Sequence, residues 1–206
     1  FFNSIIHRNI CNAEQKGGII LGKIIYITGG ARSGKSSFAE KLIKERYNSK
    51  IYLATAIPFD DEMKDRIEKH KKQRGRDWKT IENYKNLSGI LKNHIEGYDV
   101  ILLDCITNMV TNLMIMENEY DWDKISMKEV DTVREKIIDE INSLIEFIKE
   151  NDIDMVAVSN EVGLGLVPAT PLGRHFRDIG GKINQIMGEA SEEAYLVVSG
   201  LNIKLK

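Results

Sequence analysis

The chain has 206 residues, 42% hydrophobic and 29% charged, with a formal net charge of -2. That length suits one domain with a sizeable core, the composition excludes a disordered or fibrous chain, and the near-neutral balance provides no basic field for nucleic acid. No apolar run approaches the roughly 18 residues of a membrane span, and Cys11 and Cys105 are too few and too far apart for a disulfide framework or a zinc cluster, which fits a reducing cytoplasm.

Residues 1–22 mix apolar and polar side chains without periodicity and lack the apolar core and cleavage site of a signal peptide. They read as an extension, poorly ordered unless it docks. Its His7 and Cys11 have no further candidate ligands beside them. From Lys23 the pattern becomes regular. KIIYIT (23–28) is a β-branched run closed by Gly29 and Gly30 and reads as a buried strand. Residues 36–47 read as a helix with Phe38, Leu42 and Ile43 on one face. KIYLAT (50–55) is a second strand, Asp60 to Gln73 a charged helix, and DVILLD (99–104) a third strand. Val130, Val133, Ile137, Ile141, Leu144 and Ile148 mark a long amphipathic helix. MVAVS (155–159) is a fourth strand, and Leu172, Phe176, Ile179, Ile183 and Met187 mark another helix. AYLVVS (194–199) is a fifth strand, and NIKLK after Gly200 is expected to hairpin back as a sixth. The strands are continuously apolar and alternate with helices, which predicts an α/β fold: a mainly parallel sheet with helices on both faces. With no repeat and no low-complexity linker, residues 23–206 are expected to form one domain.

The residues Gly29, Gly30, Ala31, Arg32, Ser33, Gly34, Lys35 and Ser36 fit G-x-x-x-x-G-K-[ST] between a strand and a helix, the context of a P-loop. Glycines let the backbone curl its N–H groups inward around phosphates, and the helix N-terminus adds a positive dipole end. Lys35, read as solvent-side machinery, supplies a point charge to the outer phosphates. The Ser36 hydroxyl can hold Mg²⁺. DVILLD ends in Asp104, placed to handle the same Mg²⁺ directly or through water, with helix capping as the alternative role. These features indicate a nucleoside triphosphate and phosphoryl chemistry but not the acceptor.

His70 lies in RIEKHKKQRGRDW (66–78). On a helix of about 100° per residue, Met63, Ile67, His70 and Arg74 share a stripe of roughly 60°, the inward face. Lys69, Lys71 and Lys72 flank the ring. Positive neighbours disfavour imidazolium, and a neutral imidazole is a nucleophile able to take a nucleotidyl group from an α-phosphate. A half-buried histidine satisfied by one hydrogen bond is the alternative.

The segments ITGGARSGKS (27–36), IYLATA (51–56), DDEMKDRIEKHKKQRGRDWKTIE (60–82), ILLDCITNMVTNL (101–113), SNEVGLGLVP (159–168), GRHFRDIGGKINQ (173–185) and VVSGLNIKLK (197–206) carry a resemblance. In their order and spacing the chain resembles the bifunctional adenosylcobinamide kinase / adenosylcobinamide-phosphate guanylyltransferase family of adenosylcobalamin (vitamin B12) biosynthesis. The P-loop is common to many families; the blocks around His70 and Glu161 are far more specific. The resemblance implies a RecA-like P-loop NTPase fold, a cytoplasmic homotrimer, and a corrinoid substrate with ATP and GTP as the nucleotides. It places the guanylylated histidine on His70. It places guanine-nucleotide contacts on Gly29 to Ser36, Ala54, Thr55, Ala56, Lys71, Lys72, Gln73, Arg74, Glu82 and Asp104. Three positions depart from the family pattern: Gly75 stands where Pro is frequent, Lys69 where some members have a second His, and Asp104 where Glu is frequent. The implied chemistry is γ-phosphoryl transfer to adenosylcobinamide, then transfer of GMP through His70 to give adenosylcobinamide-GDP. Asn160, Glu161, Arg174, His175, Arg177 and Asp178 are candidates for acceptor binding or for subunit contacts. A small-molecule kinase without nucleotidyl transfer and a GTP switch are the rival classes. The first has no use for a lysine-flanked histidine, and the second should carry an N-K-x-D motif, which the sequence lacks.

Overall fold

A computed structural model describes residues 21–57 and 77–206. The helix expected over Asp60 to Gln73, with His70, and the first twenty residues of the expected extension lie outside the described residues. The described elements run β1 (Ile24–Gly29), α1 (Lys35–Arg46), β2 (Lys50–Ala54), β3 (Trp78–Glu82), α2 (Leu87–Leu91), β4 (Val100–Asp104), α3 (Ile106–Ile115), α4 (Met127–Glu150), β5 (Asp154–Asn160), α5 (Pro171–Ala190), β6 (Glu193–Val198) and β7 (Leu201–Lys204).

The strands form one sheet in the order β3-β2-β4-β5-β1-β6-β7. All neighbours pair in parallel except β7, which returns antiparallel along β6. The strands are apolar at successive positions because helices cover both faces. On one face Ile25, Ile27, Leu102, Val156 and Val158 pack with Ala39, Leu42 and Ile43 of α1. On the other, Ile24, Leu53, Ile101, Leu103, Met155 and Ala157 pack with side chains of α2 to α5. Each fully buried Ile or Leu contributes about 1.5–3 kcal/mol. This is the P-loop NTPase fold that the resemblance implies, with β5 lying between β1, which leads into the glycine-rich loop, and β4, which ends in Asp104.

The helix limits follow local chemistry. α4 opens on a capping box in which the Ser126 hydroxyl accepts from the Glu129 N–H, and Glu129 accepts from the Ser126 N–H at 2.9 Å. α5 opens with Thr170 as N-cap and Pro171 in its first turn.

Three elements have no counterpart in the sequence reading. α3 follows β4 after Cys105, which gives no side-chain cap, so no local start signal marks the helix. α2 is a single short turn whose first N–H groups, on Asn86 and Leu87, donate to the Glu140 carboxylate of α4 at 3.0 and 2.8 Å; that cap comes from another helix. β3 is an edge strand in which buried Trp78 and Ile81 are separated by polar residues. NIKLK does hairpin back, as the seventh strand rather than the sixth.

Candidate active site

Because six strands run parallel, their carboxyl ends share one edge of the sheet. Register puts Ala54 opposite both Glu82 and Asp104, Asp104 opposite Val158, and Gly29 opposite both Asn160 and Val197. The sheet therefore brings together most of the residues nominated from the sequence: the P-loop after Gly29, the segment Ala54–Thr55–Ala56 after β2, Glu82, and Asp104. Open parallel sheets bind ligands at this edge.

The loop from Gly29 to Ser36 has little room and unusual backbone. A Cβ on Gly29 would lie 2.3 Å from the Val197 carbonyl oxygen, so that glycine is required by close approach. Gly34 has φ 96°, a left-handed conformation that favours glycine, and Arg32 also sits at positive φ. The Ser33 N–H donates to the Gly30 carbonyl at 3.2 Å, closing the turn. The Ser33 hydroxyl is buried with no hydrogen-bond partner among the described residues.

Lys35 differs from expectation. It opens α1 but is only 8% exposed, and its Nζ donates to the Gly30 carbonyl at 3.0 Å. The ammonium is thereby tied back onto the loop, and burial of the stem holds the charge in place. Ser36 is half-buried in the first turn of α1, at the positive end of the helix dipole.

Asp104 ends β4 with its carboxylate accepting from the Tyr52 hydroxyl at 3.0 Å. Beside it, the Thr55 hydroxyl accepts from the Cys105 N–H at 2.9 Å and donates to the Cys105 carbonyl at 2.6 Å. The Asn112 amide donates to the Thr55 carbonyl at 2.7 Å, and the Thr55 N–H donates to the Asp104 carbonyl at 3.2 Å. Thr55 thus bolts the end of β2 to the end of β4, with its side chain turned inward. Burial, then the charge of Asp104, pushes the Cys105 thiol up to about 11, so it stays neutral at physiological pH.

Among the described residues no group of three or more His, Cys, Asp or Glu can hold a metal ion. Ser36 and Asp104 offer one hydroxyl and one carboxylate. That donor set suits Mg²⁺, which takes most of its oxygens from phosphates and water, and does not suit a protein-caged metal.

Apart from Asn160, a polar layer behind the loop escaped the sequence reading. The Ser159 hydroxyl donates to the Asn184 side-chain oxygen at 2.7 Å, the Asn184 amide donates to the Asn160 carbonyl at 3.0 Å, and the Asn160 N–H donates to the Thr107 hydroxyl at 2.7 Å. It ties the end of β5 to α3 and α5. Its members come from three separate segments, and no local pattern marks them.

The remaining candidates divide. The Glu161 N–H donates to the Gly29 carbonyl at 3.0 Å, which places Asn160 and Glu161 against the base of the P-loop. Arg174 donates to the Pro168 and Ala169 carbonyls, Arg177 pairs with Asp178 at 3.7 Å, and His175 packs near Trp122. All three arrangements are internal to the chain. His70, Lys71, Lys72, Gln73 and Arg74 lie outside the described residues.

A family model described as CobU, cobinamide kinase / cobinamide phosphate guanyltransferase, matches residues 25–205. The bifunctional adenosylcobalamin biosynthesis protein CobU of Escherichia coli (strain K12) is 42% identical over 187 residues, 89% of this chain and 99% of that protein. The protein of the same name from Salmonella typhimurium (strain LT2) is 43% identical over 187 residues, with the same coverage. The bifunctional adenosylcobalamin biosynthesis protein CobP of Pseudomonas aeruginosa is 36% identical over 180 residues, 87% of this chain and 95% of that protein.

Proposed function

The chain belongs to the cobinamide kinase / cobinamide phosphate guanyltransferase family, and on that premise we propose that a single P-loop site serves both a kinase step and a guanylyl transfer through His70. The enzyme is a transferase of adenosylcobalamin biosynthesis. The observation that carries the reading is the convergence of Lys35, Ser36 and Asp104 on one edge of the parallel sheet.

In the first reaction the hydroxyl of adenosylcobinamide attacks the γ-phosphorus of ATP or GTP. The new O–P bond forms as the bond to the β-phosphate oxygen breaks, and the nucleoside diphosphate leaves. The chain supplies position and charge: Lys35 at the outer phosphates, loop N–H groups around them, and the α1 N-terminus behind. Ser36, and Asp104 directly or through water, would hold Mg²⁺, which would supply charge neutralisation of the phosphate oxygens.

In the second reaction His70 attacks the α-phosphorus of GTP and pyrophosphate leaves. Lys69, Lys71 and Lys72 around it in sequence favour the neutral, nucleophilic ring. The phosphate of adenosylcobinamide phosphate then attacks the guanylylated imidazole, releasing His70 and giving adenosylcobinamide-GDP. Ala54, Thr55, Ala56, Lys71, Lys72, Gln73, Arg74 and Glu82 contact the nucleotide. Thr55 lies in this segment with its hydroxyl engaged with Cys105, its N–H with the Asp104 carbonyl and its carbonyl with the Asn112 amide.

Residues 23–206 act as one domain, and the enzyme works as a cytoplasmic homotrimer, following its family resemblance. No helix among the described residues is long and apolar enough to cross a membrane.

Sequential labelling tests the reading. With γ-labelled ATP and Mg²⁺, label should pass to adenosylcobinamide. Added α-labelled GTP should then place a second label on the same corrinoid. A chain that stops at the phosphate is a kinase alone.

A further inference from the structure

β1 has two neighbours in the sheet, β5 and β6, and the chain leaving each one carries apolar side chains into solvent beside the P-loop. After β5, Leu164 is 86% exposed, Leu166 96% and Val167 66%. At the β6–β7 turn, Val198 is 50% exposed and its register partner Leu201 73%.

Both segments are anchored to the loop itself. The Glu161 N–H holds the start of the first segment to the Gly29 carbonyl, and Arg174 closes its far end on Pro168 and Ala169. The Gly200 N–H donates to the Ser33 carbonyl at 2.8 Å, and a Cβ on Gly34 would lie 3.3 Å from the Gly200 Cα. Single exposed apolar residues are ordinary on a protein surface, but two anchored segments that present five of them around a reaction centre are a binding surface.

We propose that Leu164, Leu166, Val167, Val198 and Leu201 seat the corrinoid ring during both reactions. The inference rests on the cobinamide reading above. In the first reaction the acceptor's arm must end at the γ-phosphorus of a nucleotide on the P-loop, and in the second at the phosphorus that His70 has taken from GTP at the same loop, so in both its ring must rest on surface adjoining the loop. The Ala54, Glu82 and Asp104 side of the edge is polar and belongs to the nucleotide. The β5 and β6 exits are apolar, and they match the broad, methyl-bearing faces of a corrin macrocycle. The polar arm then points from this apolar seat toward Lys35.

The test uses the full chain with Leu164→Gln and Leu166→Gln combined, both at exposed positions that support no core. KM for adenosylcobinamide in the kinase assay, and for adenosylcobinamide phosphate in the guanylyl-transfer assay, should each rise about tenfold or more. KM for the nucleoside triphosphate, covalent label from α-labelled GTP without corrinoid, and molar mass by light scattering should not change. Acceptor KM values within about twofold of wild type overturn the proposal. A changed molar mass overturns it too, because the surface would then be a contact between copies of the chain. If the wild-type chain neither phosphorylates cobinamide nor takes label, the reading of the function fails instead.

Discussion

Thr55→Val isolates one structural bolt beside the site. Valine keeps the shape of threonine and leaves no cavity, so the perturbation is the loss of the hydroxyl. The Cys105 N–H loses the Thr55 oxygen that it meets at 2.9 Å, in a place where Thr55 is 1% exposed and water has no access. The Cys105 carbonyl loses one bond but keeps the Met109 N–H at 3.1 Å. A stranded buried N–H plus one lost hydrogen bond costs about 2–4 kcal/mol. In a chain of this size that lowers the melting temperature by roughly 5–15 °C. The same loss frees the segment immediately after Asp104, so kinase kcat should fall. Thr55→Ser keeps the hydroxyl and should recover most of both. Thermal melting by circular dichroism and a coupled kinase assay provide the readouts. A Thr55→Val protein that melts within about 2 °C of wild type refutes the bolt.

Gly29→Ala forces a Cβ to 2.3 Å from the Val197 carbonyl oxygen, so β1 and β6 must part; it should cost about 1–3 kcal/mol in melting experiments and raise KM for ATP and GTP. Lys35→Met keeps the buried stem and removes the charge, so the fold should persist by circular dichroism while kinase kcat falls about 10²–10³-fold. Cys105, with its thiol held up near 11, should resist iodoacetamide in the folded enzyme at pH 8 and react only in denaturant, as read by peptide mass spectrometry.

Elements that announce themselves by local pattern were legible: the apolar strands and the long stripes of α4 and α5. The loop from Gly29 to Ser36 stands out because its motif fixes residue type and spacing, and Asp104 because an apolar strand ends on it; the parallel sheet places both at one edge. What was hidden depends on distant partners. α2 is capped by Glu140 from another helix. α3 has no cap to separate it from β4. Lys35 read as solvent-side, yet packing folds it onto the Gly30 carbonyl. Thr55 read as a nucleotide contact, while its hydroxyl serves the backbone of Cys105. The Thr107, Ser159 and Asn184 layer joins three segments far apart in the chain, and a periodicity argument sees one segment at a time.

The central claim is that one side chain carries GMP between two reactions. The decisive measurement is covalent label from α-labelled GTP, mapped by peptide mass spectrometry in wild type and in His70→Ala. The account predicts one labelled site in wild type, on His70, with an acid-labile and base-stable bond, since protonating the phosphoramidate nitrogen makes imidazole a good leaving group. In His70→Ala it predicts no label and no adenosylcobinamide-GDP, with kinase activity retained at least in part because γ-transfer depends on Lys35, Ser36 and Mg²⁺. Label that persists in the variant, or that maps in wild type to a lysine such as Lys71, would contradict it.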